Sequence, residues 1–216
     1  MRDFPAFATE NGIASLTLRD IPYWGDAYIK IHSVSDESAF IEECVSFCRA
    51  VGAKRIYGNG HVSLQKYPFY TSVLKMVTSR DSIPESVCSV FPVTDETREQ
   101  WRSVYNEKMQ MVPNASYLSL AGCREMQRRG EAYFIHRNGV LVGIGASDGC
   151  RIKVVASLQR GMGREIVKAL SETMTADMIE LEVSSENQKA VTLYESLGFV
   201  KSGEISRWYK IFEDVK

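Results

Sequence analysis

The chain has 216 residues, 26 Lys+Arg against 27 Asp+Glu, and 44% hydrophobic residues. That is a globular composition, enough for one large or two small domains, and a chain of this size buries about 70% of its unfolded surface without staples. A formal net charge of -1 gives no global attraction to nucleic acid or an anionic membrane, and no run of about 18 apolar residues could form a membrane-spanning helix.

The opening residues, Met-Arg-Asp-Phe-Pro-Ala-Phe, lack an apolar core of signal-peptide length, so a cytoplasmic protein with reduced thiols is expected. Residues 14–19 alternate as one arm of a hairpin, and residues 27–34 alternate as a strand. Ser35, Asp36 and Glu37 then supply an N-cap and an acidic first turn. Phe40, Cys44, Phe47, Cys48 and Val51 recur at helical spacing, with Gly52 as the stop. Cys44 and Cys48 could share a helix face, but His32, His61 and His136 are isolated and no second ligand pair exists, so no metal site is expected. Five irregularly spaced cysteines also argue against a disulfide framework. Strands are predicted from Lys54 and over residues 71–77.

Residues 79–85 are polar and contain Pro84, which makes them the candidate linker between domains 1–86 and 87–216. A strand over 87–93 follows, with Pro92 favouring an edge position. A helix is predicted over 94–111 with Thr94 as cap, and a second over about 118–129. Strands 132–136 and 140–146 meet at Asn138-Gly139, the strongest hairpin signal in the chain. Residues 151–183 repeat the strand–helix–strand order of 27–59, which suggests a distant internal duplication. A helix over about 187–197 ends at Gly198, and residues 199–212 read as a strand pair. The fold class is α/β (α+β).

Between strand 151–157 and the next helix lies Gln159-Arg160-Gly161-Met162-Gly163-Arg164. Glycines let the backbone approach a ligand, and the unpaired N–H groups of a helix's first turn favour anions. Arg160 and Arg164 add charge, so the loop reads as a pyrophosphate cradle. It is neither the dinucleotide fingerprint, since position 166 is Ile, nor a P-loop, since no Gly-Lys-Ser/Thr follows. The equivalent turn of the first half, residues 33–38, has no glycine and two acids.

Downstream, Asn187-x-x-Ala190-x-x-Leu193-Tyr194-x-x-x-Gly198-Phe199 resembles the second signature block of the Gcn5-related N-acetyltransferases (GNAT). The resemblance covers roughly residues 87–216, with its sharp motifs inside 151–199. It implies a GNAT fold: a mixed central sheet flanked by helices, preceded here by a smaller half like a degenerate repeat. It also implies acetyl-CoA as co-substrate, held by the backbone of Val154, Val155 and Ala156, by the loop Gln159–Arg164, and by Asn187, which could equally be only an N-cap. One departure stands out: with Gly161 and Gly163 on the family's two glycines, Leu158 occupies its Gln/Arg position, and starting the motif at Arg160 instead puts Glu165 where Gly or Ala belongs.

The stretch Leu181-Glu182-Val183, with Asn five and Tyr twelve residues after the Glu, is similar to bacterial ribosomal-protein-alanine N-acetyltransferases, in which the Glu is general base and the Tyr general acid. The matching residues are Glu182 and Tyr194. On a strand, Glu180 and Glu182 share one face, and a carboxylate in a partly dry cleft would have a raised pKa suited to a base. A tyrosine hydroxyl stays protonated at neutral pH and suits a departing thiolate.

The expectation is acetyl transfer to a primary amine, small-molecule or peptide, by direct transfer in a ternary complex. The alternatives are a non-catalytic acyl-CoA sensor on the same fold and a nucleotide-binding protein using the same loop. No nucleic-acid or membrane partner is expected, and the oligomeric state is open.

Overall fold

A computed structural model describes residues 6–214. Residues 1–5 and 215–216, and with them most of the stretch behind the no-leader expectation, lie outside the described residues. The elements in chain order are β1 (Ala6–Thr9), β2 (Gly12–Thr17), α1 (Ile21–Trp24), β3 (Asp26–Val34), α2 (Glu37–Ala50), β4 (Arg55–Asn59) and β5 (Phe69–Ser79). They continue as β6 (Ser89–Pro92), α3 (Arg98–Met109), α4 (Leu120–Arg128), β7 (Ala132–Arg137), β8 (Val140–Asp148) and β9 (Arg151–Ser157). Then come α5 (Gly163–Glu172), β10 (Met178–Ser184), α6 (Gln188–Glu195) and β11 (Val200–Glu213). No helix among these is long and apolar enough to cross a membrane.

Two compact units result, and the cuts fall inside strands: after Ser72 in β5 and after Glu204 in β11. This differs from the single cut expected at 86/87. The reason is strand pairing. Residues 73–79 pair antiparallel along β10, from Ser184↔Val73 to Met178↔Ser79. Ile83, inside the expected linker, is buried in the second unit's core. In return, the C-terminal part of β11 pairs with β4, Tyr209 opposite Gly58. Each unit thus takes a strand that the chain makes beside elements of the other.

The first unit orders its strands β1-β2-β3-β4-β11. β3 and β4 are parallel, linked by α2. The 3.6-residue period of α2 puts Phe40, Ile41, Cys44 and Cys48 on one buried stripe, against Leu16, Ile29, Ile31 and Ile56. Its start is closed by its own residues: Asp36 Oδ1 accepts from the Ala39 N–H at 3.0 Å, and Glu37 sits in the first turn. A carboxylate already occupies the place an anion would take.

The cysteines follow from this packing. Cys44, Cys48, Cys88 and Cys123 are buried and Cys150 is exposed. Burial pushes the Cys44 thiol up to about 12, helped by Cys48 and Glu43, and the Cys48 thiol up to about 11. At pH 8 the native protein should therefore show one fast thiol towards a maleimide, and Cys150→Ser should remove it. A fast thiol that persists in that variant would mean that one of the other four cysteines is not covered as described.

The second unit orders its strands β5-β10-β9-β8-β7-β6. Asn138 and Gly139 both take positive φ, 51° and 77°, as the tight hairpin between β7 and β8 requires. β6 is the edge strand, as Pro92 suggested. Phe134 and Ile135 are neighbours on β7, so their side chains enter different cores. Ile135 joins Ile152, Ile166, Leu170 and Phe199 under α5 and α6. Phe134 joins Trp101, Cys123, Ile144 and Val154 under α3 and α4.

Two boundaries need correction. α3 begins at Arg98, not Thr94, because Thr97 Oγ1 accepts from the Thr94 N–H at 3.0 Å and holds a turn there. β11 is one long strand rather than a pair: Ser202-Gly203 reads like a turn, but Gly203 is not among the positive-φ glycines.

Candidate functional site

β9 and β10 run parallel but pair only at Glu180↔Arg151 and Leu181↔Ile152. Beyond Leu181 the register ends while both strands continue, β9 to Ser157 and β10 to Ser184. On its other side β9 stays fully paired with β8, Ala156 opposite Ile144 and Ser157 opposite Gly143. One edge of β9 is thus left without a strand partner over Lys153–Ser157, where an extended ligand could add as a strand.

Two cavities of the second unit lie along this opening. The first, about 320 Å³, is lined by Val154, Val155, Glu182, Asn187 and Tyr194, together with Ser184, Lys153, Tyr105, Met109 and residues 112–116. The second, about 670 Å³, is lined by Gln159, Arg160, Gly161, Gly163 and Arg164, with Lys189, Thr192, Leu193 and Ser196 facing them. α6 serves both. Asn187, Ala190 and Tyr194 recur at helical spacing toward the first cavity, and Lys189, Thr192 and Ser196 toward the second.

The loop is built by its glycines. Gly161 takes φ +85°, where an L side chain is strained. Met162 caps α5 without a side-chain hydrogen bond, so the first-turn N–H groups of Gly163, Arg164 and Glu165 have no helical partner. A Cβ on Gly163 would stand 2.5 Å from Leu193 Cδ1, which shows how closely loop and α6 approach. Ser157 Oγ donates to the Gln159 carbonyl and Arg164 donates to the Ser196 carbonyl at 3.2 Å, so both ends of the loop are tied down. Glu165 is turned away, bonded to Lys168 at 2.8 Å and to the Val87 N–H at 3.4 Å. This favours the register that matches Gly161 and Gly163 to the family's glycines.

Two residues of the expected set do not reach either cavity. The Met162 side chain is buried in the core, and so is that of Ala156. Only their backbones are left to contribute. A lone apolar residue between glycines carries no sign of which way it turns. Asn187 does cap α6, its Oδ1 accepting from the Ala190 N–H at 3.3 Å, and it also lines the first cavity.

Tyr194 is buried and packs edge-on against Phe199, ring centroids 5.9 Å apart. Burial pushes its hydroxyl up to about 12, so it keeps its proton throughout the neutral range. The two glutamates of β10 differ. Glu180 is engaged by Lys75 and by Arg151 at 2.7 and 2.9 Å, and these bonds hold it below the usual carboxylate range. Among the described residues Glu182 makes one ion pair, with Arg151 Nη1 at 3.3 Å, and its side chain is 43% exposed. The partly dry cleft expected around Glu182 is therefore not what the strand provides: it faces water and a guanidinium.

The comparisons bear on the same residues. The sequence profile of the acetyltransferase (GNAT) domain matches residues 94–207. That is more than half of the chain, and it contains both cavities' principal walls. The chain belongs to the GNAT family. Among solved structures, a conserved protein of unknown function from Staphylococcus epidermidis superposes with TM-score 0.61 at 13% identity, covering 99% of this chain and 95% of its own. A GCN5-related N-acetyltransferase from Anabaena variabilis gives TM-score 0.58 at 13% identity, covering 92% and 58%. Both share the GNAT fold of a mixed sheet flanked by helices. A local sequence match, 35% identical over 52 residues, links the chain to the N-alpha-acetyltransferase RimI of Mycobacterium tuberculosis. It spans 24% of this chain and about a third (33%) of that relative.

Sequence reading missed Lys189, Thr192 and Ser196, which the phase of α6 relative to Asn187 and Tyr194 could have given. It also missed Tyr105, Met109 and residues 112–116, for which no local signal exists.

Proposed function

We propose that this GNAT protein transfers an acetyl group from acetyl-CoA to a primary amine, directly and within a ternary complex. The observation that carries the reading is one cavity, at the unpaired edge of β9, lined by Val154, Val155, Asn187, Glu182 and Tyr194. When bound, acetyl-CoA supplies a thioester-activated acetyl group and a thiol leaving group. The residues present fit it: an open strand edge for the amide-bearing arm, and a glycine loop with Arg160, Arg164 and Lys189 beside it for the phosphates. Tyr194 Oη holds a proton for the departing sulfur. Glu182 takes the proton that the amine loses, directly or through water, which its exposure suits. Among the described residues no cysteine lines either cavity, which supports direct transfer over a cysteine acyl-enzyme. Five unpaired cysteines support a reducing compartment, and we place the protein in the cytoplasm.

The first half is read as a degenerate repeat of the same strand–helix–strand design, without an anion loop. The acyl-CoA sensor reading gains no support from a site that brings both proton-handling candidates to the open strand edge.

The test is calorimetry with acetyl-CoA, then CoA release with an amine panel by wild type and Glu182→Gln. An α-amine with pKa about 7.8 is roughly 15% neutral at pH 7, an alkylamine near 10.4 only about 0.04%. If Glu182 is the base, Glu182→Gln should lower kcat about tenfold to a hundredfold, more for the alkylamine, and the loss should shrink as pH rises. A uniform loss at every pH would assign Glu182 to positioning.

A further inference from the structure

The lining of the first cavity carries few charges. Among the described residues lining that cavity, the charged side chains are Lys153 and Glu182. Lys153 is already engaged by Glu131 at 2.9 Å and by Asp148. Glu182 is the one carboxylate, and it holds Arg151. The rest of the wall carries no charge: its apolar part includes Val73, Tyr105, Met109, Val112, Pro113 and Ala115, and Asn114, Ser116, Ser184 and Asn187 are its neutral polar part.

This wall is held in shape. Tyr105 Oη donates to the Ser116 carbonyl at 3.1 Å, and the Asn106 amide bonds both the N–H and the carbonyl of Leu118, at 2.8 and 3.1 Å. Within it Val112 N–H bonds Met109 at 2.9 Å and Ala115 N–H bonds Val112 at 3.1 Å. Asn114 turns the wall at φ +62°, and its Nδ2 and Oδ1 are buried without a partner among the described residues.

We propose that the acceptor is a monoamine: one ammonium group, an apolar group beside it, and any further polar group neutral. The inference rests on the acetyltransferase reading and adds the substrate class. A second ammonium would be desolvated against valine, methionine and proline with no carboxylate to meet it. A carboxylate would compete with Glu131 and Asp148 for Lys153. A neutral amide meets neither penalty. Polyamines, aminoglycosides and free amino acids are thereby disfavoured.

The test compares valinamide with valine, which differ by amide against carboxylate, and 2-phenylethylamine with spermidine. Rates of CoA release are expressed per neutral amine. Valinamide should exceed valine, and phenylethylamine exceed spermidine, about a hundredfold in kcat/KM. Val112→Asp should move the second ratio toward spermidine by about tenfold, and Val112→Ala should not. Three results overturn the proposal: valine or spermidine at parity or better, an unchanged ratio in Val112→Asp, or no turnover of either monoamine by protein that binds acetyl-CoA. Failure of calorimetric binding would overturn the acetyltransferase reading itself, and the proposal with it.

Discussion

Gly163→Glu is expected to weaken acetyl-CoA binding by a hundredfold or more while leaving the fold intact. Gly163 is the first residue of α5, where three N–H groups lack helical partners and the helix dipole adds about half a positive charge. A glutamate there brings a carboxylate to the place proposed for the phosphates, and it would bond those N–H groups itself, as Asp36 does at the start of α2. The steric term is smaller. The new Cβ meets Leu193 Cδ1 at 2.5 Å, but that atom is the end of a flexible side chain and can move. Gly163→Ala has the same steric demand without the charge, so it should bind within about tenfold of wild type. Calorimetry on the two variants separates the effects, with melting temperature as the check on folding. Equal losses in both would mean that close packing of loop and helix, not anion recognition, is what the glycine serves.

The residues that made the candidate site legible are those whose chemistry repeats locally. Asn187, Ala190, Leu193 and Tyr194 lie on one helix at fixed spacing, so their phase could be read, and Tyr194 does line the cavity with Glu182. The glycine loop was legible because Gly161 needs a left-handed φ that other residues resist. Misses came from non-local pairing. Nothing in residues 73–79 says that they pair with β10, a hundred residues on, and nothing in β11 says that its end pairs with β4. A linker placed on polarity and Pro84 could not foresee either. The surroundings of Glu182 were equally hidden. Alternation put it on the face of Glu180, but only the parallel register of β9 beside β10 brings Arg151 to both carboxylates.

Tyr194→Phe is expected to lower kcat about a hundredfold to a thousandfold, with acetyl-CoA affinity nearly unchanged. The substitution keeps the ring, and with it the edge-on contact to Phe199. What it removes is the hydroxyl, whose proton burial holds up to about 12. Wild-type activity should therefore show no alkaline loss from this residue below about pH 11. Stability gives an independent readout. The folded tyrosine titrates near 12 against 10.0 unfolded, so between those values the native state binds more proton than the unfolded state. Its stabilising contribution is complete below pH 10 and is lost as pH rises toward 12. Tyr194→Phe should abolish that component of alkaline unfolding. A purely structural Tyr194 would show the altered alkaline unfolding but a kcat within about threefold of wild type. The proton donor shows both. The pair of measurements on one variant thus decides whether the hydroxyl handles a proton or only sits above Phe199.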